Sequence, residues 1–147
     1  MKYSEAKPGR IFIVKLEDGD IIHECLEQFA AENNIKAATL TALGGVDKGS
    51  VLIVGPEESR SETIKPMETV LEDAHECTGT GTIFLDSNNS PMLHMHIACG
   101  RKNKVVTGCV RRGVKVWLVL EVIVNELVGT DTKRVRDGSS GFELLQP

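Results

Sequence analysis

The sequence has no long apolar run. No stretch approaches the roughly 18 uninterrupted apolar residues of a membrane helix, and no apolar h-region stands at the N-terminus. Neither a membrane span nor a signal peptide is expected, and the reading is cytoplasmic. Basic charge is not in excess either: 17 Lys and Arg stand against 21 Asp and Glu, a net −4. Proteins that grip nucleic acid through its phosphates usually show a basic stripe. Here the basic runs are short (Arg101-Lys102-x-Lys104, Arg111-Arg112 and Lys133-Arg134-x-Arg136) and read as surface charge. The four cysteines, Cys25, Cys77, Cys99 and Cys109, have no close paired spacing. A disulfide framework is therefore not expected, and reduced thiols suit the cytoplasm. Ready-made metal signatures are missing too: there is no Cys-x-x-Cys and no His-Glu-x-x-His. Gly44-Gly45 lacks the lysine and the spaced glycines of a phosphate loop, so a bend or bulge in a sheet accounts for it better.

What is present describes one domain over residues 1–147, with 41% hydrophobic and 26% charged residues, enough for a sizeable single core. Residues 9–16 read as a first strand, and Glu17-Asp18-Gly19 as a turn. Asp20 is the expected N-cap of a helix reaching Asn33, with Ile22, Cys25, Leu26, Phe29 and Ala30 on its apolar stripe. Asn33-Asn34 is its stop. Strands are expected over 35–43 and 49–55, followed by a polar connection over 57–62. The segment 69–85 alternates loosely, and Gly79 and Gly81 mark a strand that another backbone approaches closely. The run 116–124 is the most apolar and is expected to be the central strand. Residues 127–147 read as a loop with a short final strand at 142–145. Many antiparallel strands and one early helix give an α+β fold: a twisted sheet or partial barrel with the helix on one face.

The chemistry concentrates at Pro91-Met92-Leu93-His94-Met95-His96-Ile97-Ala98-Cys99-Gly100. With a strand's period of two, Leu93, Met95, Ile97 and Cys99 share a core face, and His94, His96 and Ala98 share the other. The two histidines are about 6–7 Å apart at Cα, close enough for both rings to reach one metal ion. Residues 100–103 turn the chain and 104–110 return it. A four-residue loop would set His94 opposite Cys109; a two-residue loop at Lys102-Asn103 would set His96 opposite Cys109. Both put Cys109 on the histidine face, whereas a three-residue loop would not. Two imidazoles and a thiolate, with a fourth position open, make a recognised zinc set. Glu121 interrupts the apolar run and is a candidate acid/base or a partner holding an imidazole, with structural pairing the plainer account. His23 and His75 read as surface residues.

The order of motifs resembles the PPC (plants and prokaryotes conserved) domain family. The residues that carry the likeness are Ala42-Leu43-Gly44-Gly45-Val46, Thr78-Gly79-Thr80-Gly81-Thr82-Ile83, Leu93-His94-Met95-His96-Ile97, Thr107-Gly108-Cys109-Val110 and Leu120-Glu121-Val122-Ile123-Val124. The resemblance implies a compact α+β subunit in a homotrimer. It also implies a DNA-binding label, with Arg101, Lys102, Lys104, Arg111 and Arg112 as phosphate contacts. In plant members, however, an AT-hook contacts DNA, and this chain has no Arg-Gly-Arg-Pro core. The fold is also similar to acetolactate decarboxylase, a zinc enzyme with a His-x-His strand and a third histidine. His94 and His96 match the pair, and Cys109 stands in the third position. A thiolate donates more charge than imidazole, so a zinc ion there is a weaker Lewis acid. The first expectation is thus a trimer binding zinc or another divalent metal through His94, His96 and Cys109, for ligand binding or as a regulatory scaffold. DNA binding comes second, and a zinc-dependent lyase or hydrolase acting on a small carbonyl substrate, with Glu121 as helper, third.

Overall fold

Alternation with a period of two runs through most of the chain and folds it as a sheet. The computed structural model describes residues 1–61 and 63–147. Glu62, at the end of the polar connection, lies outside the described residues. Among the described residues the elements are β1 (Lys7–Glu17), α1 (Ile22–Glu32), β2 (Ala37–Val46), β3 (Val51–Pro56), β4 (Pro66–Val70), β5 (His75–Leu85), β6 (Pro91–Arg101), β7 (Lys104–Arg112), β8 (Val116–Val128), β9 (Lys133–Arg136) and β10 (Glu143–Gln146). The main sheet runs β1-β8-β2-β5-β6-β7-β3-β4, with each neighbouring pair antiparallel. It does not close, because β1 and β4 stand at opposite ends of that order. β9 and β10 form a separate hairpin, and β9 meets β5 in parallel at Leu85 and Lys133. The α+β class is as the sequence indicates.

The helix covers one face of this sheet. Ile22, Leu26 and Ala30 are fully buried and join Leu40, Ile83, Met95, Ile97, Leu120 and Val122 in one core. Asp20 is not the N-cap: that position is Ile21, with no side-chain cap. Strand contacts on either side set this entry. Ile22 N–H donates to the Val114 carbonyl at 3.0 Å, and Val116 N–H donates to that of Asp20 at 2.9 Å. The Asp20 carboxylate instead accepts from Glu17 N–H and closes the preceding turn. The helix stops at Asn33-Asn34 as expected, with Asn34 at φ 55°.

Two glycine pairs let strands come together. At Gly44-Gly45 the β2–β8 register shifts, so the pair is a bulge. Gly44 has φ 147°, and a Cβ there would lie 2.3 Å from the Val119 carbonyl oxygen. Gly79 and Gly81 face β6, where a Cβ would lie 2.5 Å from Ile97 Cγ2 and 2.8 Å from Met95 Cβ. The apolar β8 is not at the sheet's centre; it lies between the edge strand β1 and β2. Its apolarity serves two faces. Leu120, Val122 and Val124 are buried in the core, while Ile123 meets exposed Ile13 on the opposite side.

At the β1 edge the register shifts between Pro8 and Ile11, and Glu126 holds the irregular backbone in place. Its carboxylate accepts from Arg10 N–H at 3.0 Å, Nε at 2.7 Å and Nη2 at 2.7 Å. These bonds, those of the guanidinium first, bring the Glu126 carboxyl down to about 2. Stability from such a group is complete above the unfolded carboxyl value and is lost as pH falls through the folded one. Glu126→Gln should therefore cost about 1–2 kcal/mol near neutrality, discounted because the Arg10 side chain is 52% exposed. In urea titrations across pH, that penalty should shrink between about 4.5 and about 2. A pH-independent penalty would reject the ion pair as its source. Gly44→Ala should lower stability by about 2 kcal/mol or more, read in the same titrations, because both its φ and the Val119 carbonyl oppose a side chain.

Candidate metal centre

Strand parity gives the sheet's outer face its chemistry. Opposite the core, one straight cross-strand row reads Ile13, Ile123, Thr41, Thr80, His96, Cys109. The next row holds Asn125, Thr39, Thr82 and His94. The β6–β7 turn is Lys102-Asn103, with Lys102 at φ 56° in the left-handed region that such short hairpins use. Of the two registers open from the sequence, this is the one that sets His96 opposite Cys109.

The three side chains converge. The ligand atoms of His94, His96 and Cys109 lie within 4.8 Å of one another. His94 Nε2 and His96 Nε2 are 3.2 Å apart, with the rings edge-to-face at 72°. His94 is half-buried, His96 exposed and Cys109 buried. Burial, then the charges of Arg134, Arg111 and His96, bring His94 down to about 4, so its ring is neutral at pH 7. Arg111 Nε–H donates to Cys109 Sγ at 3.1 Å. A neutral His94 imidazole beside His96, and a Cys109 sulfur with a guanidinium donor, suit a metal that takes nitrogen and thiolate ligands. Cys77 and Cys99 are not comparable. Burial pushes Cys77 up to about 11 and Cys99 up to about 12, and both face the core.

The β6–β7 ladder ends at the cluster, since its last pair toward the open end is His96 with Cys109. Beyond it, Leu93 N–H donates to Glu27 Oε1 of the helix at 2.9 Å. A cavity of about 290 Å³ opens there, lined in part by His94, Arg111, Arg134 and Glu143. Arg134 is the residue that sequence reading missed. It sits in a run taken for surface charge, yet it is 5% exposed, with Nη2 donating to Thr82 Oγ1 at 2.8 Å. No local pattern marks it, because its burial comes from β9 lying against β5.

Several candidates fall outside the site. Glu121 is exposed, opposite Lys15 and Leu43 on β8, three strands and about 14 Å from β6. Its side chain points to the outer surface, so it is neither a buried paired carboxylate nor a partner of the imidazoles. The basic residues of the hairpin are split. Arg101, Lys102 and Lys104 are at its tip, whereas Arg111 and Arg112 are about 23 Å along β7. Arg101 pairs with Asp73 and Arg112 with Glu68. His75 Nδ1–H donates to the Asp73 carbonyl at the start of β5, and His23 is on α1.

Solved structures share this fold along their whole length. A metal-containing protein from Archaeoglobus fulgidus superposes with TM-score 0.83 at 24% identity, covering 100% of both chains. A plant- and prokaryote-conserved protein from Pyrococcus horikoshii gives 0.81 at 19%, covering 100% of this chain and 98% of its own. A candidate DNA-binding protein from Bacteroides thetaiotaomicron gives 0.76 at 18%, covering 96% of each. At these identities the likeness establishes the fold. No curated protein matches the chain in sequence. The sequence model of the Plants and Prokaryotes Conserved (PCC) domain matches residues 3–128, the stretch that holds the main sheet, the helix and the His/His/Cys cluster, and the chain belongs to that family.

Proposed function

We propose that the protein binds one divalent metal ion, zinc by the character of the donors, through His94, His96 and Cys109. The ion serves as a ligand-binding centre on the outer face of a homotrimer subunit. The observation that carries this reading is the convergence of three ligand atoms within 4.8 Å. In a tetrahedral zinc site, donor atoms are about 3.3–3.6 Å apart, so small side-chain rotations close the gap. Arg111 supports it as a donor to the metal-bound thiolate, and His94 needs no deprotonation near pH 7. The open fourth position would face a cleft lined by Thr39, Thr41, Thr80 and Thr82. Association through the outer face is supported by Ile11, Ile13 and Leu43, which are 69%, 86% and 56% exposed there.

DNA binding is the second reading, and the name given to the Bacteroides thetaiotaomicron relative favours it. The charge arrangement favours metal. Two of the five hairpin cations already pair with carboxylates, and a trimer multiplies the net −4 together with the remaining cations. A lyase or hydrolase needs a proton-transfer group beside the ion, and Glu121 is too distant for that role.

Elemental analysis of native protein should find about one zinc per chain, and His94→Ala and Cys109→Ala should each lose it while remaining folded. Wild-type protein that carries no divalent metal and takes none up would reject the reading. Sedimentation should show a trimer that Ile13→Lys shifts toward monomer. A monomeric wild type at micromolar concentration would remove the trimer from the proposal and leave the metal reading standing.

A further inference from the structure

Arg134 is a buried cation without a counter-ion. Its residue is 5% exposed, and its buried Nε has no hydrogen-bond partner. Among the described residues no carboxylate lies within 4.0 Å of it. What holds it is one hydroxyl, Thr82 Oγ1 at 2.8 Å, and the ring of Phe84 at 5.9 Å. A desolvated guanidinium normally demands an anion, and leaving one unpaired is costly. The cavity beside it is also lined by His94 and Arg111 and by His23, Glu27 and Glu143. Glu27 Oε1 is engaged by Leu93 N–H. Glu143 Oε2 and His23 Nδ1 are buried with no partner. Three unsatisfied polar groups of different character therefore line one cavity of about 290 Å³, a volume suited to a small molecule.

We infer that this cavity takes a small carboxylate-bearing molecule, its carboxylate on Arg134 and a hydrogen-bond donor of the same molecule on Glu143, beside the His/His/Cys cluster. The planar guanidinium fork matches a carboxylate better than a point charge would. A singly charged anion fits better than a doubly charged phosphate, because Glu27 and Glu143 already place carboxylates in the wall. The second group of the ligand follows from Glu143, which as a carboxylate can only accept. A hydroxy acid or an amino acid offers both features. The assignment rests on the metal-centre reading for its position and extends it to the class of ligand.

Glycolate is the probe, with acetate as the control that lacks the donor and phosphate as the doubly charged competitor. Protein of measured metal content is titrated while the Arg134 Nε–H signal is followed by nitrogen-15 NMR. Glycolate should shift that signal saturably and bind at least fivefold tighter than acetate or phosphate. Arg134→Gln should weaken glycolate at least tenfold with metal content unchanged, and Glu143→Gln should erase the preference over acetate. An Arg134 signal that stays fixed at saturating probe overturns the inference, as does equal binding by wild type and Arg134→Gln. If Arg134→Gln does not fold, the wild-type Nε–H shift decides alone. If Arg134→Gln folds but separates the oligomer, and glycolate leaves the wild-type signal unmoved, the missing anion is a neighbouring subunit's carboxylate and the inference fails. A saturable glycolate response in wild-type protein that carries no divalent metal and takes none up would remove the metal reading and keep the carboxylate site.

Discussion

A two-residue turn at Lys102 and Asn103 decides which side chains of β6 and β7 share a face, and the outer surface of the sheet follows from that choice. One residue more in the turn would send Cys109 into the core and bring Val110 beside the histidines. The inner face guards this parity from its own side. Met95 and Ile97 are fully buried between and beyond His94 and His96, and Val110 is buried next to Cys109. Turning β7 over would expose Val110 to water, and turning β6 over would expose Met95 and Ile97, so the core enforces the geometry of the polar cluster. Gly79 and Gly81 add to this by letting β5 and β6 meet without side chains between them.

The parts of this arrangement set by alternation were legible in the sequence. The His-x-His strand, the return of Cys109 to the same face, the glycine bulge at 44–45 and the helix stop at Asn33-Asn34 all depend on neighbours in the chain or on one short turn. What could not be read depends on distant partners. Asp20 looks like a helix cap, but β8 and the residues just before it fix the backbone at the helix entry and leave its carboxylate to the preceding turn. Glu121 looks misplaced in an apolar run because that run has two apolar faces, one of which faces outward. Arg134 resembles any surface arginine until β9 lies against β5, a contact across 48 residues between Leu85 and Lys133.

Charge is distributed against the average of the molecule. The chain is acidic overall, yet the surroundings of His94 include Arg111 and Arg134, and no carboxylate pairs with either among the described residues. Carboxylates pair with cations elsewhere, as Glu126 does with Arg10, Asp73 with Arg101 and Asp47 with Lys115. The positive charge beside His94 therefore comes from two arginines that no ion pair neutralises among the described residues, rather than from net composition.

The hydrogen bond from Leu93 N–H to Glu27 carries one more meaning. β6 loses its β7 partner just where the cluster lies, and a helix carboxylate takes over the amide that a strand would otherwise satisfy. The helix thus completes the sheet as well as covering it. Undocking α1 would open the core and at the same moment release the backbone one residue before His94. The rigidity of the histidine pair and the integrity of the hydrophobic core are in this way a single cooperative property.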